Sequence, residues 1–401
     1  MNDETSSNKK TSKVKKTIAW ITGWLISAIV SGIIGSIFIP QACEKTKGIF
    51  ASEPYVAVLI SRKAIDFRIP NDFMEGFDNN YQRMMDKTGC FVSKNGDKVQ
   101  IMHVEDFLSE EKTAIIAHRL ESDNNCILVI GNANSTLTNI NLDIFLNSKI
   151  KLPFIMPIAT EDNLLKKAES ANFNGVLRML PKNGMQADTI ERLVSKFAPN
   201  RKVAIYEDEE NQSYSINLSR DIADKIRKKG GKIVIEELIG PSNSIYNSVI
   251  KWSSENKHPE VLVYVGVSHH GLLLLDQLSE LDISVPIIFT DGCLVTSLLS
   301  NIYKYSGRSF ILSPAEFKDE DLFLPSYKPI GEDAYMLASK IIQGSDGTRV
   351  GVISYIENHK KEFDFSGKAG KYGFNPLGEN EARDYVVYEM KGGKLVRFND
   401  F

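Results

Sequence analysis

The stretch Ile127-Leu-Val-Ile-Gly-Asn-Ala-Asn-Ser-Thr-Leu-Thr138 decides the fold of this 401-residue chain. Its first four residues are apolar, and a run of that length predicts a strand buried in a parallel sheet. Gly131 interrupts the run, and a loop of small polar residues, 132–136, leads into a predicted helix that begins near Leu137. Strand, loop and helix together form the repeating unit of an α/β sheet.

The loop after this strand is a candidate site for an anion. Free backbone N–H groups and the dipole at the amino end of a helix favour a negative group, and the hydroxyls of Ser135 and Thr136 can donate hydrogen bonds to a carboxylate. A second apolar strand, 153–157, is followed by Ala159 and Thr160. Ligands of open α/β sheets bind at the carboxyl ends of strands, so we expect residues 134–136 and 159–160 to form one anion seat.

Composition narrows the class of protein. The length allows one large or two medium domains, and a net charge of -3 gives no support to nucleic-acid binding. The four cysteines are Cys43, Cys90, Cys126 and Cys293, without a CxxC pair or a Cys/His cluster, so a metal site is not predicted. A Cys90–Cys126 disulfide and two free thiols, with Cys126 packed in its strand, both remain open.

The amino terminus predicts a membrane anchor. Residues 1–16 are polar and rich in lysine, whereas residues 17–40 carry no charge. As a helix, residues 17–40 would be roughly 36 Å long, which is enough to cross a bilayer. The lysines should remain in the cytoplasm as a basic tail, so we expect the chain after Pro40 to lie outside the cytoplasm, with residues 41–53 as a linker.

Two further interpretations concern the same segment. A cleaved signal peptide with Cys43 as a lipid-bearing first residue is the rival to an anchor, but the uncharged run is long for a signal and Pro40-Gln-Ala42 is a poor processing site. Small residues that recur every four positions let helices pack closely, which predicts a homodimer through the membrane helix. The alternative is that these residues face lipid and their spacing is a coincidence. These small residues are Gly23, Ser27, Ser31 and Gly35.

Beyond the linker, predicted strands and helices alternate. Apolar residues recur at helical spacing in segments such as 73–85 and 218–226, and each such segment is flanked by short apolar runs. Alternation of this kind predicts parallel sheets covered by helices on both faces. The number of units is too large for one sheet, so we expect an α/β protein with two lobes, each with its own sheet.

Five segments carry a family resemblance through their order and spacing. They are Pro199-Asn-Arg-Lys-Val-Ala-Ile-Tyr206, Lys228-Lys-Gly-Gly-Lys-Ile-Val234, Pro259-Glu-Val-Leu-Val-Tyr-Val-Gly266, Pro286-Ile-Ile-Phe-Thr-Asp-Gly292 and Tyr372-Gly-Phe-Asn-Pro-Leu-Gly378. From about Tyr55 to the end, the chain resembles the type I periplasmic binding proteins, and among them the leucine/isoleucine/valine-binding proteins of ABC transporters. The resemblance implies two Rossmann-like lobes joined by three crossing strands, with a ligand clamped between them. The first lobe would contain 54–178 and 311–383, and the second 179–310 and 384–401.

The resemblance also implies which residues hold a ligand. In relatives that bind amino acids, the loops that match Asn134-Ser135-Thr136 and Ala159-Thr160 hold the α-carboxylate, which agrees with the anion seat. The residue at the position of Asp291 meets the α-ammonium, and a buried ammonium requires such a partner. Asp291 as a helix N-cap is the alternative, since Thr290-Asp-Gly292 is also a good helix start.

The second lobe departs from the family pattern at two loops. The loop 207–213 is acidic and lacks the Tyr-Gly pair common among relatives, and we expect its charged run to be a solvated face. The run Val267-Ser268-His269-His270 replaces aromatic residues. Ser268 is therefore a candidate for a more polar ligand contact, and the two histidines are expected to form a solvated pair rather than a pH sensor.

These observations favour a binding protein. The first hypothesis is a membrane-tethered, extracytoplasmic receptor that passes a small solute to an ABC permease. The second is a ligand-sensing ectodomain that signals through a separate membrane partner, because a tail of 16 residues cannot hold a kinase or cyclase. The sequence contains no GxSxG, GxxxxGK[ST] or HExxH motif, so neither an enzyme nor a cofactor is predicted.

Overall fold

A computed structural model describes most of the chain after the linker. The described residues are 53–60, 68–85, 90–106, 108–209, 212–240, 245, 252, 258–305, 307–316 and 327–400. The predicted basic tail, membrane helix and nearly all of the linker lie outside them, as does Cys43. None of the described helices is both long enough and apolar enough to cross a membrane.

Through residue 313 the described strands and helices mostly alternate, with β2 and β3 in direct succession. The strands are β1 (Tyr55–Leu59), β2 (Phe91–Val92), β3 (Lys98–His103), β4 (Cys126–Gly131), β5 (Phe154–Met156), β6 (Val176–Arg178), β7 (Lys202–Asp208), β8 (Lys232–Ile239), β9 (Val261–Val265), β10 (Ile287–Phe289), β11 (Ser309–Ser313), β12 (Phe365–Ser366), β13 (Lys371–Tyr372), β14 (Val386–Lys391) and β15 (Lys394–Arg397). The helices are α1 (Arg68–Met85), α2 (Glu110–Ser122), α3 (Ser135–Leu146), α4 (Asn163–Ser170), α5 (Asn183–Phe197), α6 (Gln212–Lys228), α7 (Ser268–Glu280), α8 (Thr296–Leu299), α9 (Lys328–Gly344) and α10 (Arg349–His359).

The first lobe is built on a six-stranded sheet of order β2-β3-β1-β4-β5-β6. All its pairings are parallel except β2 with β3. The strand of the deciding stretch, β4, lies between β1 and β5, and its four apolar residues are at most 1% exposed. The strand ends after β4 and β5 are therefore neighbours at one edge of the sheet, as predicted.

Helix α9 returns from late in the chain and completes the first lobe by packing on α1. Two glycines permit this approach: a Cβ on Gly76 would lie 1.9 Å from the carbonyl oxygen of Lys328, and a Cβ on Gly331 would lie 1.9 Å from that of Phe73. Such separations are far inside van der Waals contact, so larger residues would force the two helices apart.

The second lobe is built on a seven-stranded sheet of order β15-β14-β11-β10-β9-β7-β8. Strands β7 to β11 are parallel, whereas β14 and β15 are antiparallel at one edge. Gly392 and Gly393 join these two strands with φ values of 57° and 78°. A two-residue turn with positive φ at both positions produces an antiparallel hairpin. Strand β11 runs to Ser313 and so crosses the lobe boundary predicted at 310–311.

The chain passes between the two sheets three times, after β6, after β11 and before β14. The first and third crossing segments are hydrogen-bonded to each other, from Arg178 N–H to the carbonyl of Gly378 (2.8 Å) and from Asn380 Nδ2 to the carbonyl of Met179 (2.8 Å). The predicted two-lobed α/β architecture is confirmed. Because the crossings are few, we expect the lobes to move about them as about a hinge.

Candidate functional site

The two loops of the predicted anion seat lie in contact in the first lobe, and their binding of an anion stays a prediction. Asn134 caps α3, its side-chain oxygen accepting the N–H of Leu137 at 2.9 Å, so α3 begins at Ser135, two residues earlier than predicted. The Ser135 hydroxyl oxygen accepts the N–H groups of Thr160 (3.2 Å) and Glu161 (3.3 Å). The two strand ends are thus in direct contact, and Thr136 follows in the first turn of α3.

The loop after β5 is held with its carbonyl groups away from Ser135. The carbonyl of Thr160 accepts the N–H of Asn183 at 2.8 Å, and the carbonyl of Glu161 accepts from Arg178 Nη1. Ala159 and Thr160 are 1% and 4% exposed. Both carbonyls are engaged by the first crossing segment and α5, and the N–H groups of residues 160 and 161 face the start of α3, where the Ser135 hydroxyl oxygen accepts them.

A buried ion pair supports this loop. Arg178 Nη2 lies 2.9 Å from Glu379 Oε2, with the two side chains 0% and 10% exposed. Burial raises the pKa of Glu379, and the Arg178 guanidinium offsets part of that effect. The pair joins the first and third crossing segments and places a positive charge behind the anion seat.

Acidic residues lie at the rim of the seat. Asp162 in the first lobe accepts the N–H of Gly184 at 2.9 Å, and its charge contributes, after burial, to the raised pKa of Asp221 on α6. Burial also raises the pKa of Glu161. Helices α3 and α6 are in contact, and the effect of Asp162 on Asp221 indicates that carboxylates of the two lobes lie near each other.

Asp291 in the second lobe is buried among neutral hydrogen-bond donors. It is 4% exposed, and its oxygens accept hydrogen bonds from Gln186 Nε2 (3.0 Å), Tyr214 OH (2.5 Å) and Tyr385 OH (3.3 Å). Burial raises the pKa of Asp291, while these donors and the N–H of Gly292 oppose the rise. Four neutral donors fill the acceptor positions of a carboxylate. Its role as an ammonium partner stays a prediction.

The first turn of α5 connects the anion seat of the first lobe with Asp291 of the second lobe. The N–H of Asn183 meets the loop at Thr160, and three residues later the Gln186 amide exchanges hydrogen bonds with Asp291. Residues three apart lie on one face of a helix. Asp291 is therefore about one helical turn from the anion seat, which the sequence alone did not indicate.

Three residues of the acidic run and the histidine pair are buried, not solvated as predicted: Glu207, Asp208 and His270. Glu207 and Asp208 are the last residues of β7 and are 9% and 0% exposed, because the strand extends two residues beyond its predicted end. His270 is 1% exposed, and its Nδ1 lies 3.1 Å from Asp208 Oδ1. The prediction of a solvated position is wrong for these three residues.

Ser268 is the first residue of α7, directly after a loop bonded to Asp208. Asp208 Oδ2 accepts the N–H of Val267 at 3.0 Å and the hydroxyl of Tyr264 at 3.2 Å. The adjacent Gly266 donates its N–H to Thr290 Oγ1, which brings this loop beside Asp291. Ser268 and Asp291 thus share the second-lobe edge, and their contact with a ligand stays a prediction.

The structure decides between a Cys90–Cys126 disulfide and free thiols. Cys90, Cys126 and Cys293 are free thiols, and Cys126 is packed in β4. The disulfide alternative is therefore wrong. Within the described part of the chain, no group of three or more His, Cys, Asp or Glu residues is arranged to hold a metal ion.

The fold is that of the substrate-binding proteins of ABC transporters. A substrate-binding protein from Desulfitobacterium hafniense in complex with Leu superposes with a TM-score of 0.67, at 17% identity, over 86% of this chain and 100% of the other. The branched-chain amino acid substrate-binding protein LivJ of Streptococcus pneumoniae in complex with isoleucine superposes with a TM-score of 0.68 at 16% identity, over 86% of this chain and 100% of LivJ. A solute-binding protein from R. palustris in complex with benzoate superposes with a TM-score of 0.69 at 14% identity, over 86% of this chain and 96% of the other.

The sequence match defines the family. Residues 95–302, slightly more than half of the chain, match the family described as the receptor family ligand binding region, and the chain belongs to that family. The predicted type I periplasmic binding fold is confirmed. No curated protein shows a significant sequence match. The relatives named above are solute-binding proteins rather than enzymes.

Proposed function

We propose that this protein captures a small polar solute, an amino acid or a related anion, between its two lobes. The observation that carries the proposal is the contact of Ser135 with the N–H groups of Thr160 and Glu161 at the start of α3. Since the Ser135 oxygen accepts both N–H groups, its own hydroxyl proton can be donated to a carboxylate, which the dipole of α3 also favours. The complexes of similarly folded proteins with Leu, isoleucine and benzoate support a carboxylate ligand.

The rim carboxylates favour a zwitterion. Asp162 and Asp221 come from different lobes and interact unfavourably with each other. A ligand ammonium between them would relieve that repulsion and draw the lobes together. Asp291 is already satisfied by neutral donors, so we assign the ammonium to the rim instead.

A thermal-shift screen of the detergent-solubilised full chain tests the proposal. The screen contains the common amino acids, their decarboxylated amines and simple carboxylates. An amino acid at one hundred times its Kd should stabilise the folded state by about 2.7 kcal/mol, and the matching amine should have little effect. Ser135→Ala should reduce the shift, whereas Ser170→Ala, at an exposed serine at the end of α4, should not. A screen without any stabilising carboxylate would remove the proposal.

For the cellular role we propose delivery of the solute to an ABC permease. The alternative is a sensor that signals through a separate membrane protein, and the family description as a receptor ligand-binding region supports it. Uptake of the radiolabelled ligand distinguishes the two. Deletion of the gene should abolish high-affinity uptake under the first proposal and should leave uptake unchanged under the second.

We further propose that residues 17–40 tether the protein to the cell membrane, with the ligand-binding lobes on the extracytoplasmic side. The uncharged run and the lysines before it support this arrangement. Protein purified from membranes should retain Met1 or Asn2, and a mature terminus at Cys43 would contradict an uncleaved anchor. Cross-linking between cysteines introduced at Gly23 and Ser27 tests the proposed dimer.

A further inference from the structure

A cavity of about 360 Å³ lies where the third crossing segment enters the second lobe. One wall is the hairpin segment 366–371, and the opposite wall contains 382–387 and 397–399. We call it the hinge cavity. Its volume falls within the range of small-molecule sites, roughly 300–1,000 Å³. None of the residues of the anion seat lines it.

The two walls of the hinge cavity are attached to different lobes. Asp333 on α9 of the first lobe accepts the N–H groups of Lys368 (2.6 Å) and Ala369 (2.8 Å) and the hydroxyl of Tyr372 (2.9 Å), which fixes the hairpin wall. A Cβ on Gly367 would lie 2.4 Å from the Asp333 carboxylate. The opposite wall belongs to β14 and β15, so a ligand that contacts both walls would select one hinge angle.

The charges that line the hinge cavity are unbalanced. Glu316 is paired with Arg397, and Asp384 with Arg192 at 3.3 Å. In contrast, the exposed side chain of Lys371 forms neither a hydrogen bond nor an ion pair with another described residue.

Arg383 supplies a second cation to this cavity. Its Nη1 donates to the carbonyl of Ala369 at 2.8 Å, its Nη2 to that of Met179 at 3.1 Å, and the guanidinium stacks 4.5 Å from the Tyr372 ring centroid. Its Nε is buried and has no hydrogen-bond partner in the described part of the chain.

We propose that the hinge cavity is a second ligand site, for a small organic anion whose carboxylate is attached to an apolar group. The carboxylate would accept from the Lys371 ammonium and lie beside the Arg383 guanidinium, which lines the same cavity. The apolar group would pack on Pro314, Ala369 and Phe398, which line the same cavity. The site is separate from the anion seat and does not depend on the function proposed for it.

Isothermal titration of the detergent-solubilised full chain with benzoate tests this site, with benzylamine as the cationic counterpart. Benzoate should bind with a Kd of about 1 mM, and benzylamine should not bind. Lys371→Gln should weaken benzoate roughly fivefold, because it removes one partly exposed charge. Ala382→Trp should abolish binding by filling the cavity. Lys232→Gln, at an exposed lysine of the opposite sheet edge, should bind as the wild type does.

The outcomes separate the two sites. Loss of benzoate in Ala382→Trp with retention in Ser135→Ala supports the hinge cavity. Loss in Ser135→Ala alone would place benzoate in the anion seat and overturn the proposal, and so would the absence of benzoate binding in the wild type. Thermal melts of each variant confirm that the protein is folded.

Discussion

Replacement of Asp291 distinguishes a structural role from a role in ligand binding. In the structure, its buried carboxylate is the shared acceptor for Gln186, Tyr214 and Tyr385, which come from α5, α6 and the third crossing segment. Asp291→Ala would leave three buried donors without an acceptor, each at a cost of about 1–3 kcal/mol. Since the hydroxyls can partly reorient and water can enter, we expect the free energy of unfolding to fall by about 3–5 kcal/mol.

Asp291→Asn is the matched conservative change. Its amide oxygen can still accept from Gln186 and Tyr214, so we expect a loss of only about 1 kcal/mol. Asp188→Ala, at an exposed carboxylate on α5 that pairs only with Lys225 among the described residues, is the surface control and should cost less than about 1 kcal/mol. Urea denaturation of the empty protein, followed by far-UV circular dichroism, measures all three.

The pH dependence gives a second measurement of the same residue. Burial raises the pKa of Asp291 in the folded state above its unfolded value. The folded protein then holds this proton more tightly, so the contribution of Asp291 is largest below its unfolded pKa of about 3.9 and declines as the pH rises through the folded pKa. Asp291→Asn should remove that decline. An Asp291→Ala protein with unchanged stability and a more than tenfold weaker ligand would refute this reasoning and restore the predicted ammonium contact.

Three other predictions follow from buried or paired groups. Arg178→Met leaves Glu379 buried without its partner at 2.9 Å and should lower the free energy of unfolding by about 3–5 kcal/mol. The double variant with Glu379→Leu should regain most of the lost free energy. A double variant no more stable than the single variant would contradict this prediction. Burial alone would raise the pKa of Glu389, but Lys391 and Arg308 together lower it. The contribution of Glu389 to stability is therefore present above about pH 4.3 and is lost as the pH falls through its folded pKa. Glu389→Gln should flatten the acid side of a curve of unfolding free energy against pH, and an unchanged acid side would count against the pairing. Burial raises the pKa of the Cys126 thiol to about 12, so native alkylation followed by peptide mass spectrometry should modify Cys90 well before Cys126; equal rates would show that β4 opens readily.

The sequence determined the local elements and their order. The run Ile127–Ile130 became β4, and the next strand became its neighbour β5. Parallel strands that are consecutive in the chain place their carboxyl ends at one sheet edge, so the contact between Ser135 and the loop at Thr160 followed from pattern alone. Apolar periodicity is a local signal, which makes it readable from the sequence.

Only the tertiary structure decided which polar groups meet. Asp291 and Gln186 are 105 residues apart in sequence, and Arg178 and Glu379 are 201 apart. Neither pair follows from a sequence spacing: Gln186 and Asp291 meet through packing within the second lobe, and Arg178 and Glu379 meet where the first and third crossing segments are in contact. The sequence likewise did not predict the burial of Asp208 and His270. Charged residues at a strand end are usually solvated, and only the tertiary structure shows that another element covers them. Periodicity reports which face of an element is buried, and only the packed chain reveals the partner of each buried charge.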